Sequence, residues 1–248
     1  MIYLGTQPVP GAADAVRRLR ERGMPVAFVT NNASRRADDV ARLLADVGVP
    51  ADPSEVTTSA QAAAAVLARR CVPDAAVLVV GAPALAEEVA AVGLRPVEQA
   101  GDRPAAVVQG YGPAVGWPQL AEASVAVRGG AWWVATNTDR TLPSPRGPLP
   151  GNGALVAALS TALGRGPDLV VGKPAPTLLE QAARRHGARR PLMVGDRLDT
   201  DIEGAHRAGM DSLLVLTGVS HRDDLAGAPA EQRPTYVGDD LSALLKPG

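Results

Sequence analysis

Two lysines, one phenylalanine and one cysteine in 248 residues are the scarcest features of this chain. The lone Cys71 excludes an internal disulfide and suits a reducing compartment, and as a small residue near a helix end it needs no chemical role. No apolar run reaches the roughly 20 residues that cross a bilayer, and no signal-peptide pattern is read, so a cytoplasmic location is expected. An excess of one charge is also missing. Lys and Arg number 25 against 26 Asp and Glu, which leaves no electrostatic case for nucleic acid or an anionic membrane as partner. The three histidines, His186, His206 and His221, sit among polar residues and read as surface groups.

What is present in quantity is aliphatic. Hydrophobic residues reach 46% and charged residues 21%, the balance of a globular chain rather than a disordered one, and the length can bury a substantial core. Arginine replaces lysine almost everywhere, with abundant Ala, Gly and Pro, as in a GC-rich gene. That bias makes Lys173 conspicuous, since Lys246 is the only other lysine.

Short β-rich apolar runs alternate with helical patterns, the signature of a parallel sheet covered on both faces. Residues 11–22, 85–92, 120–127, 154–163 and 178–185 have helical spacing. Residues 25–30, 56–58, 77–80, 105–109, 132–135, 169–171, 192–194 and 213–216 read as strands. Ser34 is placed to cap the helix after the first of these, and Thr177-Leu-Leu-Glu180 has the form of a capping box. The expected organisation is a discontinuous α/β core, 1–71 and 159–248, with an α/β lid over 72–158.

Three motifs fall at strand ends, where ligands bind in open α/β sheets. Thr30-Asn31-Asn32 offers a hydroxyl and adjacent N–H groups to phosphoryl oxygens, although the same triplet is an ordinary turn. Gly172-Lys173-Pro174 places an ammonium where it can neutralise a phosphate, although it can also be a solvated surface lysine. It is not an ATP-binding loop: Gly166 stands one position too far upstream, and Pro174 replaces the required Ser or Thr. Gly195-Asp196-Arg197-Leu198-Asp199-Thr200-Asp201 clusters carboxylates that suit Mg²⁺, a hard cation with oxygen ligands, or that cap the following helix.

Together these motifs resemble the haloacid dehalogenase (HAD) superfamily, most closely its subfamily IIA of 4-nitrophenyl phosphatase-like, phosphoglycolate phosphatase-like and N-acetylglucosamine phosphate phosphatase-like enzymes. Phe28-Val-Thr-Asn-Asn-Ala-Ser34 is similar to its second motif, Val171-Gly-Lys-Pro174 to its third, and Val194-Gly-Asp-Arg-Leu-Asp-Thr-Asp201 to its fourth. Ala135-Thr-Asn-Thr-Asp-Arg-Thr-Leu-Pro143 and Pro150-Gly-Asn-Gly153 look typical of its lid. The resemblance implies a Rossmann-like three-layer α/β/α core with an inserted C2-type cap. It implies Mg²⁺-dependent hydrolysis of a small phosphorylated metabolite through an aspartyl-phosphate intermediate. Thr30, Asn31 and Asn32 would bind the phosphoryl group and Lys173 would stabilise its charge. Asp196 would bind Mg²⁺ directly, with Asp201 in support directly or through water. Thr136, Asn137 and Asp139 would lie near the leaving group. Relatives often dimerise through the lid, so a homodimer is the expectation by resemblance.

The family's first motif, a strand ending in Asp-x-Asp-Gly, supplies its nucleophile and its general acid and base. Here Met1-Ile2-Tyr3 aligns with the residues that follow that motif, so both aspartates and the first core strand are expected upstream of residue 1. A GTG codon read as initiation would account for this, and the chain as printed is then expected to be inactive or impaired. Asp199-Thr-Asp201 is followed by Ile202 rather than Gly and does not substitute. The alternative is a non-catalytic remnant that keeps a phosphate pocket as a binding or regulatory module. A metal-free dehalogenase would leave Asp196 and Asp201 without a use.

Overall fold

A computed structural model describes residues 2–4, 7–144 and 146–245. The chain divides into two compact units, one of residues 1–29, 37–56 and 173–248, the other of residues 30–36 and 57–172.

In the second unit, five parallel strands follow the order Leu169–Val170, Trp132–Ala135, Ala106–Gln109, Ala76–Val80, Arg95–Val97. Val, Leu and Ala dominate the central strands because both sheet faces are covered, leaving no polar side to alternate with. Trp133 is 0% exposed and packs with Leu78, Val107, Ala123, Val156 and Leu159. Its neighbour Trp132 is half-buried, with the Arg70 guanidinium 4.6 Å from its ring centre. The helices Ser59–Arg70, Pro83–Ala91, Trp117–Arg128 and Asn152–Leu163 belong to this unit. Ser59–Arg70 starts with a capping box in which Thr58 Oγ1 accepts the Gln61 amide and Gln61 Oε1 accepts the Thr58 amide, which satisfies two orphan donors of its first turn.

In the first unit, Leu192–Gly195, Asp211–Val215 and Tyr236–Gly238 form a parallel three-stranded sheet, registered Val194 to Leu213 and Leu213 to Tyr236. Phe28–Thr30 and Val56–Thr58, whose last residues count with the second unit, pair as a separate two-stranded sheet. Leu192–Gly195 is an edge strand among the described residues, and Leu192 at its start is 39% exposed. The helix Ala12–Glu21 turns Ala12, Ala15 and Val16 inward, and Ala37–Asp46 buries Val40, Ala41 and Leu44. No described helix is long and apolar enough to cross a membrane.

The expected α/β alternation is present, with differences. Leu169–Val170 was grouped with the core segment 159–248, yet it extends the five-stranded sheet by pairing with Val134 and Ala135. The helix Ser59–Arg70 and the loop 30–36 likewise fall in the second unit rather than with 1–71. Strand periodicity reports burial but not which neighbour supplies it. Ser34 does not cap its helix, which starts at Ala37; its hydroxyl donates to Asn32 Oδ1 at 3.0 Å instead. Thr177–Arg185 has Pro176 before it and no side-chain cap, so the Thr177–Glu180 pattern is not a capping box. Two short hairpins, Tyr3–Leu4 with Gln7–Pro8 and Thr141–Leu142 with Leu149–Pro150, carry no sequence signal strong enough to be read.

Truncating Trp133 to Ala removes the largest fully buried side chain of the second unit. The expected loss is about 3–5 kcal/mol in urea denaturation. A loss below about 1 kcal/mol would contradict the central place given to this side chain.

Candidate active site

The candidate residues fall in the two units separately, and each group has its own local logic. In the first unit the strand Leu192–Gly195 ends at Asp196, and a π-helical turn, Leu198–Ile202, follows. Such turns recur at functional sites because the extra residue redirects a side chain. Here the turn brings Asp201 back onto the backbone it has just left. Its Oδ2 accepts the amides of Asp196 at 3.1 Å and Arg197 at 3.2 Å, and its Oδ1 accepts Lys173 Nζ at 2.7 Å. Both oxygens of Asp201 therefore have protein donors.

Asp196 is placed differently. It is 0% exposed, its Oδ2 accepts the Val219 amide at 2.9 Å, and its Oδ1 is buried with no hydrogen-bond partner. The loop 217–220 wraps it further, because the Ser220 amide donates to the Asp196 carbonyl at 2.9 Å and Ser220 Oγ accepts the Leu198 amide at 3.1 Å. Two glycines make room for the carboxylates. A methyl group at Gly218 would overlap the Asp196 carboxylate, and one at Gly195 would overlap that of Asp201.

A buried carboxylate oxygen without a donor is costly unless a cation meets it. Asp196 Oδ1 thus fits the Mg²⁺ that the sequence pattern suggests, and an oxygen donor is what that ion takes. Both oxygens of Asp201 already accept protein donors, which suits the supporting role expected of it. Among the described residues no cluster of three or more His, Cys, Asp or Glu side chains could hold a metal alone, so water and other oxygen donors would complete the shell. The third carboxylate of this loop, Asp199, is more than half exposed and meets Arg197 through two hydrogen bonds of 3.0 and 2.7 Å. The Arg197 fork holds its carboxyl below the ordinary value.

In the second unit, the turn after Phe28–Thr30 is held by its own side chains and by distant ones. Thr30 Oγ1 accepts the Asn32 amide at 3.1 Å, and Asn32 Oδ1 accepts the Ser34 amide at 2.7 Å. The Asn31 carbonyl accepts Ser59 Oγ at 2.6 Å and Asn137 Nδ2 at 2.8 Å. The Asn31 side-chain amide donates to both oxygens of Asp139, each at 3.2 Å. Gly172 lies against the same turn, where a Cβ would come 2.7 Å from Asn31 Oδ1 and 2.6 Å from the Thr136 carbonyl.

The sequence analysis expects Thr30, Asn31 and Asn32 at the phosphoryl group and Thr136, Asn137 and Asp139 at the leaving group, and the structure joins the two sets through the bonds of Asn31 to Asn137 and Asp139. Thr136 is fully buried and Asn137 is 4% exposed, with its amide engaged by Asn31. Ser59, Asn152 and the segment 217–220 were missed. The last could have been found by the same strand-end rule, because it follows Asp211–Val215. Cys71 has no part in either half, and burial pushes its thiol up, away from the reactive thiolate.

Comparison with known proteins places these features in context. Residues 1–95 match a family model described as haloacid dehalogenase-like hydrolase, and residues 170–244 match one described as HAD-hydrolase-like. The D-glycerol 3-phosphate phosphatase of Mycobacterium tuberculosis is 55% identical over 98% of this chain and 68% of its own length. A 5'-nucleotidase of Bacillus subtilis is 37% identical over 97% of this chain and 92% of its own. Among solved structures, the glycerol phosphate phosphatase of M. tuberculosis in complex with magnesium superposes with a TM-score of 0.94 at 54% identity, covering 98% of this chain and 73% of that one. A p-nitrophenyl phosphatase from Archaeoglobus fulgidus gives 0.89 at 31%, covering 99% and 95%.

The Lys173–Asp201 pair allows a direct test. Both side chains are nearly buried, so removing one partner breaks a buried ion pair, at a cost of about 3–5 kcal/mol. Lys173→Met and Asp201→Asn are each expected to destabilise by that amount in chemical denaturation, and the double variant by clearly less than the sum. Strict additivity would contradict the pairing.

Proposed function

Because the chain belongs to the haloacid dehalogenase-like hydrolases and is a phosphoric monoester hydrolase, we propose that it cleaves a small phosphorylated metabolite of the glycerol phosphate class with Mg²⁺ as cofactor. The observation that carries this reading is the buried, unpartnered Oδ1 of Asp196 beside the Lys173–Asp201 ion pair. The substrate class rests on the 55% identity to the glycerol 3-phosphate phosphatase, which extends over almost the whole chain.

Each residue then has one task. Asp196 would hold Mg²⁺, and Asp201 orients the loop that carries it by gripping the amides of Asp196 and Arg197. Bound Mg²⁺ would supply charge neutralisation at phosphoryl oxygens. Lys173 adds a positive charge whose position is fixed by Asp201, and fixed charge stabilises a developing anion better than a mobile one. Thr30, whose oxygen already accepts the Asn32 amide, keeps its own proton to donate to a phosphoryl oxygen, and the Asn31 amide is the second donor of that role. Asn32 shapes the turn through Ser34. The loop of Thr136, Asn137 and Asp139 is assigned to the leaving-group side. The route through an aspartyl phosphate, a cytoplasmic location and a homodimer through residues 72–158 belong to the same proposal, on the sequence and the resemblance alone.

The test is phosphate release from glycerol 3-phosphate, 2-phosphoglycolate, sugar phosphates, 5'-nucleotides and 4-nitrophenyl phosphate, using both residues 1–248 and the full reading frame. Turnover is expected to be highest with glycerol 3-phosphate, to stop with EDTA and to return with Mg²⁺. Lys173→Ala and Asp196→Ala are expected to lower kcat/KM by about 10²–10³ or more. No release from either form, or release indifferent to EDTA, would overturn the proposal.

A further inference from the structure

Asn152 is the first residue of the helix Asn152–Leu163, and it is 1% exposed. Its side-chain nitrogen meets two partners, while its oxygen is buried without one. The nitrogen donates to the Asn137 carbonyl at 2.7 Å and to the Gln109 carbonyl at 3.3 Å. Both acceptors lie at or just beyond strand ends of the five-stranded sheet, and Gln109 is itself fixed by the Trp133 indole at 3.1 Å. The amide is therefore anchored to the rigid part of the unit.

From Asn137 the chain of contacts runs outward. Its Nδ2 donates to the Asn31 carbonyl, and its Oδ1 accepts the Asp139 amide at 3.1 Å. Asp139 in turn receives the Asn31 side chain on both carboxylate oxygens. Asn31 is thus gripped at its carbonyl and at its side chain by one loop, and Asn152 holds that loop from behind. The glycines on either side tighten the same contact. The Gly151 amide donates to the Arg140 carbonyl at 2.9 Å and the Gly153 amide to the Asp139 carbonyl at 2.8 Å. A methyl group at Gly151 would overlap the Asp139 carbonyl, and one at Gly153 the Thr138 carbonyl. Neither glycine needs a positive φ, so what they provide is close approach.

We infer that Asn152, with Gly151 and Gly153, is a positioning residue for the Thr30–Ser34 turn: it fixes the Asn137–Asp139 loop, which fixes Asn31. This rests on the reading that the turn holds phosphoryl oxygens. Asn152 touches no substrate. It acts through two intervening residues, and because displacement of a binding group by about 1 Å can cost up to about 10²-fold in rate, a brace at that remove is felt in the chemistry.

The experiment compares the parent with Asn152→Ala, which removes both donors, and with Asn152→Ser, which keeps one. Hydrogen exchange read by mass spectrometry over residues 30–36 is expected to accelerate about five- to tenfold in Asn152→Ala, with Asn152→Ser intermediate and peptides over 192–201 unchanged. Inhibition by inorganic phosphate is expected to weaken in parallel, and Asp139→Ala is expected to act non-additively with Asn152→Ala. Exchange unchanged over 30–36 in either folded variant would overturn the inference. So would acceleration spread evenly over residues 57–172, which is the mark of general destabilisation. A parent that hydrolyses no phosphate ester would sink the phosphatase reading instead, and the exchange over 30–36 would still decide whether Asn152 braces the turn.

Discussion

Asp196 holds a carboxylate out of water with a hydrogen bond to only one of its oxygens, and the neighbouring segments are shaped by that shortfall. Gly218 leaves room for it, the Val219 and Ser220 amides fix its orientation, and Asp201 clamps the backbone on its other side. Three aspartates within six residues look equivalent in sequence, yet they carry three different burdens. Asp199 is exposed, and its pair with Arg197 contributes at most about 1 kcal/mol. Asp201 is the buried counter-charge of Lys173. Asp196 alone keeps an oxygen for an outside cation.

Much of this was legible in advance because it depends on local pattern. Strands buried on both faces write themselves as runs of Val, Leu and Ala, so Ala76–Val80, Ala106–Gln109 and Trp132–Ala135 were found almost to the residue. Ligand-binding segments follow strand ends in parallel sheets, so Thr30, Lys173 and Asp196 stood out. What could not be read is partnership. Ser34 has the composition of a helix cap but bonds to Asn32, because the helix begins three residues later. Leu169–Val170 reads as a buried strand, and nothing in two residues says which sheet it will join. That Lys173, 28 positions away, engages one oxygen of Asp201 is likewise a partnership the sequence does not show.

The turn 30–34 shows the same lesson from the other side. Its sequence is that of an ordinary polar turn, and by itself it would be held only by short-range bonds to Thr30 and Asn32. Its rigidity comes from residues about 30 to 120 positions away, Ser59, Asn137, Asp139 and, behind them, Asn152. Under the proposed phosphate-binding role, a turn fixed by side chains from elsewhere in the unit would pay little ordering entropy on taking an anion. Small residues at 151, 153 and 172 follow from the same requirement, since the segments they join approach to within a methyl group.

The division between Asp196 and Asp201 is tested most directly by locating a bound cation. Mn²⁺, which shares the oxygen preference of Mg²⁺, can be soaked into crystals of this protein and found by its anomalous scattering. The account predicts a single ion bonded to Asp196 Oδ1 at about 2.1–2.2 Å, with Asp201 still bonded to Lys173 and not to the metal. An ion bound by Asp201 with Lys173 displaced, or one that leaves Asp196 Oδ1 bare, would contradict it.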